Sequence, residues 1–415
     1  MNLIKTSLYS TASTAIRIST SFIINKLIAL YIGPAGLALM GSFQNVTNIF
    51  IGLSTGSINA GVVKYSAEYS EDQHKLKQLI STSFRIVLIC SGLVSFATIM
   101  FSSVLALRIL HNTGDAYIFR LFGIGIFFTS INSLISSLLN GKKEIKRFIS
   151  LNISASIISL TITGTLIYTN KLPGALIAMI LTQGLLFLAS IYFLRKCSWF
   201  SYSLFKGGSQ AGVTRQLLKF SVMGITSAIA GPLALLLIRN YIIRESSSNM
   251  AGYWEAVNRL SSLYMIAITT SLSIYYLPKL SETENRLQLR TEIFHGLKIM
   301  MPAMFITSLV IYLFRFMIIK MLFSNQFGPM EPFFLFQLIG DNIKIASWLL
   351  AYLMLAKAMA KMYIITEIVF SCTYYVFSIL CINKFGAVGV TYAYAINYSL
   401  YLACCFLLLR KRFFI

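Results

Sequence analysis

The chain is built from apolar runs, each long enough to cross a lipid bilayer as a helix. A span needs about 20 mostly apolar residues. Twelve windows qualify: 8–32, 39–63, 79–105, 117–139, 149–168, 175–194, 217–238, 250–277, 297–321, 333–356, 362–382 and 387–409. Lipid offers no water to a bare N–H or C=O, so such runs fold as helices. The fold class expected is all-α: a polytopic membrane protein of twelve transmembrane helices. The first run does not read as a cleaved signal peptide. It is too long, carries Arg17, and no small-residue cleavage site follows it.

Composition supports this. Hydrophobic residues make up 57% of the chain and charged residues 12%, against about 25% charged in soluble domains. A soluble enzyme, a disordered chain and a disulfide scaffold are excluded. The formal net charge is +22. On a soluble domain that would point to nucleic acid, but here it follows topology. Alternate connections hold 22 Lys and Arg in one set, including Lys142, Lys143, Lys146 and Arg147. The other set holds six: Arg108, Lys171, Arg239, Arg244, Lys320 and Lys384. Both termini are therefore expected on the cytoplasmic side, with no nucleic-acid partner. The six cysteines lie mostly in apolar runs without CxxC spacing, and the three histidines in or beside polar connections. No metal site and no cofactor are expected. No GxxxxGK[ST] motif is present, which excludes an ATPase on this chain. No connection is long enough to house a further domain.

The chain repeats internally. Gly141-Lys142, Lys146 and Phe148 align with Ala356-Lys357, Lys361 and Tyr363 at an offset of 215. Leu194-Arg195-Lys196 aligns with Leu409-Arg410-Lys411 at the same offset, and Asn170-Lys171-Leu-Pro-Gly174-Ala175 resembles Asn383-Lys384-Phe-Gly386-Ala387. The reading is two six-helix lobes, 1–205 and 206–415, in the same orientation, around a central cavity.

Polar residues inside the spans mark the candidate site. The first span aligns Thr14, Arg17, Ser21 and Asn25 within about 80° of helix angle. Lys26 lies about 180° from Arg17, so either this span bends or Lys26 faces the outer headgroups. The second aligns Asn45, Asn48, Gly52, Thr55 and Asn59, a stripe that suits a wetted cavity or a sugar. The eighth aligns Glu255, Asn258, Arg259, Ser262, Thr269 and Ser273, with Glu255 and Arg259 at the i,i+4 spacing of an ion pair. The tenth places Gln337, Asp341 and Lys344 on one face, with Asp341 and Lys344 expected to pair. Glu367 sits about two turns into the eleventh. Arg85, Arg120 and Arg315 lie near span ends, where they can snorkel. Gly231-Pro232 interrupts the seventh span's backbone ladder. A charge at the bilayer centre costs about 2.5–3.5 kcal/mol on the insertion scale. Arg17, Lys26, Arg85, Arg120, Arg259, Arg315 and Lys344 face only Glu255, Asp341 and Glu367 in the spans. This excess of cations expects an anionic substrate such as a diphosphate.

Several blocks carry a family resemblance: the opening at Lys5, Lys26-Leu-Ile-Ala, Gly33-Pro-Ala-Gly-Leu37, Ser273-Ile-Tyr-Tyr-Leu-Pro278, Gln337-Leu-Ile-Gly-Asp-Asn-Ile-Lys344 and Ala356-Lys-Ala358. In that order, over nearly the whole chain, they resemble the Wzx-type O-antigen flippases of the multidrug, oligosaccharidyl-lipid and polysaccharide exporter superfamily. The resemblance implies alternating access by two lobes in a bacterial inner membrane. The implied cargo is an undecaprenyl-diphosphate-linked oligosaccharide, moved from the cytoplasmic to the periplasmic leaflet. Membrane lipids, an O-antigen polymerase and a chain-length regulator are the other implied partners. The substrate-binding residues expected are Arg17, Asn25, Lys26, Asn45, Asn48, Asn59, Arg259 and Lys344; the ion-coupling residues are Asp341, Glu255 and Glu367. The family pattern places an acid shortly after Arg259, where this chain has Ser262, so the acidic role in that span falls to Glu255. Rival expectations are a MATE-like exporter of drug cations, a non-transport membrane enzyme, and an auxiliary protein of polysaccharide assembly. An enzyme of that kind would be expected to show sizeable periplasmic segments, and a cation exporter the opposite balance of embedded charge.

Overall fold

A computed structural model of the chain describes residues 3–410 except 209, 273–275, 277, 278, 281, 282, 284 and 358. Ser273 of the eighth-span face, most of the Ser273–Pro278 block, Ala358, Lys411 and Arg412 thus lie outside the described residues.

Helices account for nearly all of the described chain. They are α1 (Leu3–Tyr31), α2 (Gly33–Ser54), α3 (Asn59–Glu68), α4 (Gln73–Met100), the short α5 (Ser102–Leu105), α6 (Ala116–Gly141) and α7 (Ile145–Arg195). After a connection follow α8 (Ala211–Glu245), α9 (Ser248–Ser271), α10 (Arg286–Leu313), α11 (Arg315–Leu322), α12 (Phe334–Ala356), α13 (Ala360–Phe385) and α14 (Gly389–Leu409). Among the described residues, eight helices are long and apolar enough to cross a membrane, nine if the bent pair α2 and α3 is one span. The 51-residue α7 holds two of the expected spans, broken at Lys171. The remaining two, α1 and α9, are of span length but carry Arg17 and Lys26, and Glu255 and Arg259.

Local chemistry fixes the helix starts. Asp72 caps α4, its carboxylate accepting from the backbone N–H groups of His74 at 3.1 Å and Lys75 at 3.0 Å. Ser247 caps α9 by accepting from Met250 N–H at 3.2 Å. Pro34 stands in the first turn of α2, where its missing N–H costs nothing.

The repeat is visible in the backbone. Lys171 has φ 47° and Gly386, 215 residues on, has φ 68°. A Cβ on Gly174 would lie 1.9 Å from the Leu166 carbonyl oxygen, and one on Gly389 2.2 Å from that of Cys381. Those residues are again 215 apart, so both halves make the same glycine-dependent turn.

The chain forms two compact units. The first comprises Met1–Ile32 and Leu39–Pro232, the second Gly33–Ala38 and Leu233–Ile415. The division runs through α8 at the Gly231-Pro232 step; the repeat boundary at 205/206 lies earlier, in the connection before α8. In the first unit that connection packs down: the Phe205 ring lies tilted against that of Phe84 with centres 4.7 Å apart, and Ser81 Oγ donates to the Gly208 carbonyl at 3.2 Å. In the second, Leu349, Leu353, Tyr401, Cys405 and Leu409 form a core shared by α12 and α14. All six cysteines are free.

Candidate functional site

In the second unit, α9 places Glu255 and Arg259 one turn apart, and Arg259 Nε donates to Glu255 Oε1 at 3.0 Å. The other carboxylate oxygen accepts from Arg239 on α8. Arg239 is only 2% exposed and Glu255 7%. The Arg239 guanidinium lies 5.5 Å from the centre of the buried Trp254 ring, and its Nε and Nη1 meet no acceptor among the described residues. Two cations share one carboxylate, so the cluster carries a formal charge of +1. This corrects the expectation that Arg239 sits in a connection. Hydropathy stops a span at its first charge, but α8 continues to Glu245 and buries this one.

A second cluster surrounds Asp341, which is fully buried. It accepts from Ser261 Oγ at 2.7 Å, Tyr394 OH at 2.8 Å, Gln337 Nε2 at 3.4 Å, and from Tyr264 OH. The expected Asp341–Lys344 ion pair is not formed. Lys344 Nζ instead lies over three rings: Trp348 at 4.8 Å, Tyr398 at 5.1 Å and Tyr394 at 5.4 Å. The physical reason is saturation. Neutral O–H and N–H donors from α9, α12 and α14 fill the carboxylate's acceptor sites, while the longer lysine stem reaches the electron-rich ring faces. Glu367 on α13 is half-buried.

Arg315, near a span end, has protein partners. Its Nε donates to Glu331 Oε1 at 2.5 Å and its Nη1 to the Tyr312 carbonyl at 2.8 Å.

The first unit differs. Arg17, Arg85 and Arg120 are exposed and Lys26 is half-buried. No Asp or Glu occurs in the first six apolar runs. In α1, Ser21 Oγ donates to the Arg17 carbonyl at 2.8 Å, so that hydroxyl serves its own helix, while Asn25 is buried. The polar stripe of α2 and α3 is not uniformly wetted. Asn48 is exposed and accepts from Gln44 at 2.9 Å, whereas Asn45 is buried. Gly52 packs on Ala228, and Asn59 Nδ2 donates to Ser133 on α6 at 3.0 Å. Much of the stripe thus holds helices together.

Arg239, Ser261, Tyr264, Trp348, Tyr394 and Tyr398 are the site residues the sequence reading missed. Two had a usable signal: Trp348 lies at i,i+4 from Lys344, and Tyr398 at i,i+4 from Tyr394. The others act across helices.

Comparison with known proteins gives concordant results. Residues 3–284 match the family model described as "Polysaccharide biosynthesis protein". The chain is 29% identical over 420 residues to the lipid III flippase of Escherichia coli (strain K12), covering 99% of this chain and 100% of that one, and equally to that of Shigella flexneri. Among solved structures, an inward-facing multidrug resistance MATE family transporter of the MOP superfamily matches with TM-score 0.79 and 16% identity, over 96% of this chain and 98% of that one. A MOP superfamily transporter from Pyrococcus furiosus, described by a binding pocket of reversed polarity, matches with TM-score 0.71 and 14% identity, over 99% and 95%. The fold is therefore that of the MATE-like transporters.

Proposed function

The chain belongs to the polysaccharide biosynthesis protein family, and from that premise we propose a flippase for undecaprenyl-diphosphate-linked oligosaccharides of the O-antigen repeat-unit type. It is a multi-pass membrane protein whose relatives are flippases and transporters, not enzymes. The proposed site is the inner membrane, with both termini cytoplasmic and 1–205 and 206–415 as the two lobes of an alternating-access cycle.

The observation that carries the reading is the sign of the embedded charge. The first unit keeps four cations in runs without a carboxylate, and the Arg239–Glu255–Arg259 cluster is +1. A guanidinium in low dielectric is the residue of choice for a diphosphate, which it grips bidentately. Arg17 and Arg259 are proposed as the main diphosphate contacts, with Lys26 and Lys344 assisting. Exposed Asn48 is the proposed sugar contact of its stripe, and buried Asn25, Asn45 and Asn59 support it. Ion coupling is proposed for Asp341 and Glu367, since Glu255 is engaged by its two arginines.

Complementation tests the substrate class. The chain is expected to restore O-antigen display in a strain lacking its O-unit flippase more efficiently than it restores traffic in a strain lacking the lipid III flippase. Rescue confined to the lipid III strain would replace the O-unit by that lipid. A drug-cation exporter, which the MATE-like fold also accommodates, would rescue neither and would confer drug resistance.

A further inference from the structure

We propose that Arg239 is a positioning residue that sets the net charge of the Arg259 site. By occupying one oxygen of Glu255, it keeps that carboxylate from neutralising Arg259, and the cluster retains a charge of +1 for an anionic headgroup. The inference rests on the reading above, in which Arg259 contacts a diphosphate.

Without Arg239, Glu255 and Arg259 are an ordinary i,i+4 pair of formal charge zero. Such a pair has little long-range attraction for an anion. Arg239 comes from a different helix and is held on two sides, by Glu255 Oε2 and by the face of Trp254. At 2% exposure it is shielded from a bulky headgroup and acts only through Glu255. The Arg259 side chain, by contrast, keeps 21% of its surface accessible. Packing alone does not call for a guanidinium at position 239. Two of its nitrogens are buried without an acceptor among the described residues, and a well-packed apolar side chain would avoid that desolvation.

Among the described residues, Glu255 pairs with both Arg239 and Arg259. The Asp341 carboxylate on α12 is engaged by Ser261, Tyr264, Tyr394 and Gln337.

The test uses charge arithmetic on the purified full chain, with undecaprenyl diphosphate and undecaprenol as paired probes. Arg239→Gln lowers the cluster to zero and is expected to weaken diphosphate binding tenfold or more. Arg239→Gln combined with Glu255→Gln returns it to +1 and is expected to bind within threefold of wild type, although the brace is gone. A purely structural role predicts that the double variant binds no better than the single, and that result overturns the proposal. Should Arg239→Gln not fold, Arg239→Lys and the double variant carry the test. Both keep +1, both are expected within threefold of wild type, and a tenfold loss in either overturns the proposal. A wild-type chain that does not prefer the diphosphate over undecaprenol overturns the substrate reading and this inference with it. A wild-type preference without recovery in the double variant overturns the inference alone.

Discussion

Arg17, Lys26, Arg85 and Arg120 stand in the apolar runs of the first unit with no carboxylate among them. In the second unit Arg239 and Arg259 pair with Glu255, and Arg315 pairs with Glu331. The repeat makes the two units alike in backbone, down to the turns at Lys171 and Gly386, yet their electrostatics differ. Balanced charges can be buried because each has a local partner, and they become part of the packing. Arg17, Arg85 and Arg120 stay exposed, where headgroups or an arriving anion can compensate them. One unit thus offers charge to a ligand while the other uses charge to fix geometry, with the +1 cluster around Glu255 as the exception.

The strongest way to break this contrast is to remove one charge from each side. Glu255→Ala leaves two guanidinium groups facing each other in a buried site and is expected to cost about 3–5 kcal/mol of stability. Arg17→Ala is expected to leave the melting temperature unchanged while lowering export. Thermal denaturation of both variants in detergent checks this; equal destabilisation would erase the distinction between the units.

Arg259→Ala is expected to reduce export about 10–150-fold, the equivalent of about 1.5–3 kcal/mol for hydrogen bonds to a charged group, with membrane insertion intact. Arg259→Lys should recover part of the loss, since a point charge lacks the bidentate fork. Quantified O-antigen display against protein level reads both.

The shared backbone predicts equal sensitivity at the two turns. A methyl group at Gly174 or Gly389 would collide with a backbone carbonyl. Each alanine variant should therefore lose about 1–3 kcal/mol. A large loss at one and none at the other would show that the units depart from each other in backbone as well as in charge.

How much of this was legible in the sequence depends on the distance over which each contact acts. The spans, the repeat and the Glu255–Arg259 pair follow from apolar runs, a constant offset and i,i+4 spacing, all properties of a single helix. Arg239 meets Glu255 across two helices, and Asp341 meets Tyr264 and Tyr394, 77 and 53 residues away. Those contacts depend on helix rotation and axial register, which packing sets and local periodicity does not. The eighth span illustrates this. Its polar face through Glu255, Asn258 and Arg259 was readable, but Ser261 lies about 120° around the helix from Glu255, on the side that serves Asp341.

A smaller effect separates the two readings of Asp341 and Lys344. An ion pair would give a double-mutant cycle a sizeable coupling energy. A carboxylate held by hydroxyls beside a lysine held by rings predicts only the low coupling of neighbours that share Tyr394, about 0.5–1 kcal/mol, for Asp341→Asn and Lys344→Gln. Coupling well above that would restore the pair.

The smallest effect concerns an acid of the first unit outside its spans. The backbone N–H and then the side chain of Lys75 hold the Asp72 carboxyl below the usual carboxylate range. Its folded value lies below the unfolded one, so its contribution is present above the unfolded value and fades as pH falls through the folded one. Asp72→Asn should lower stability slightly at neutral pH, leave it unchanged below the folded value, and so flatten the acid limb of the stability profile. An unaltered acid limb would show that the cap carries no charge-dependent stability.

The central claim is that the embedded cations select an anionic lipid-linked substrate. Proteoliposomes holding the purified chain test it most directly, by comparing translocation of a fluorescent undecaprenyl-diphosphate-linked oligosaccharide with efflux of a lipophilic drug cation. The predicted result is movement of the diphosphate-linked lipid, loss of that movement in Arg259→Ala, and no cation efflux above empty vesicles. Cation efflux without movement of the lipid would contradict the claim.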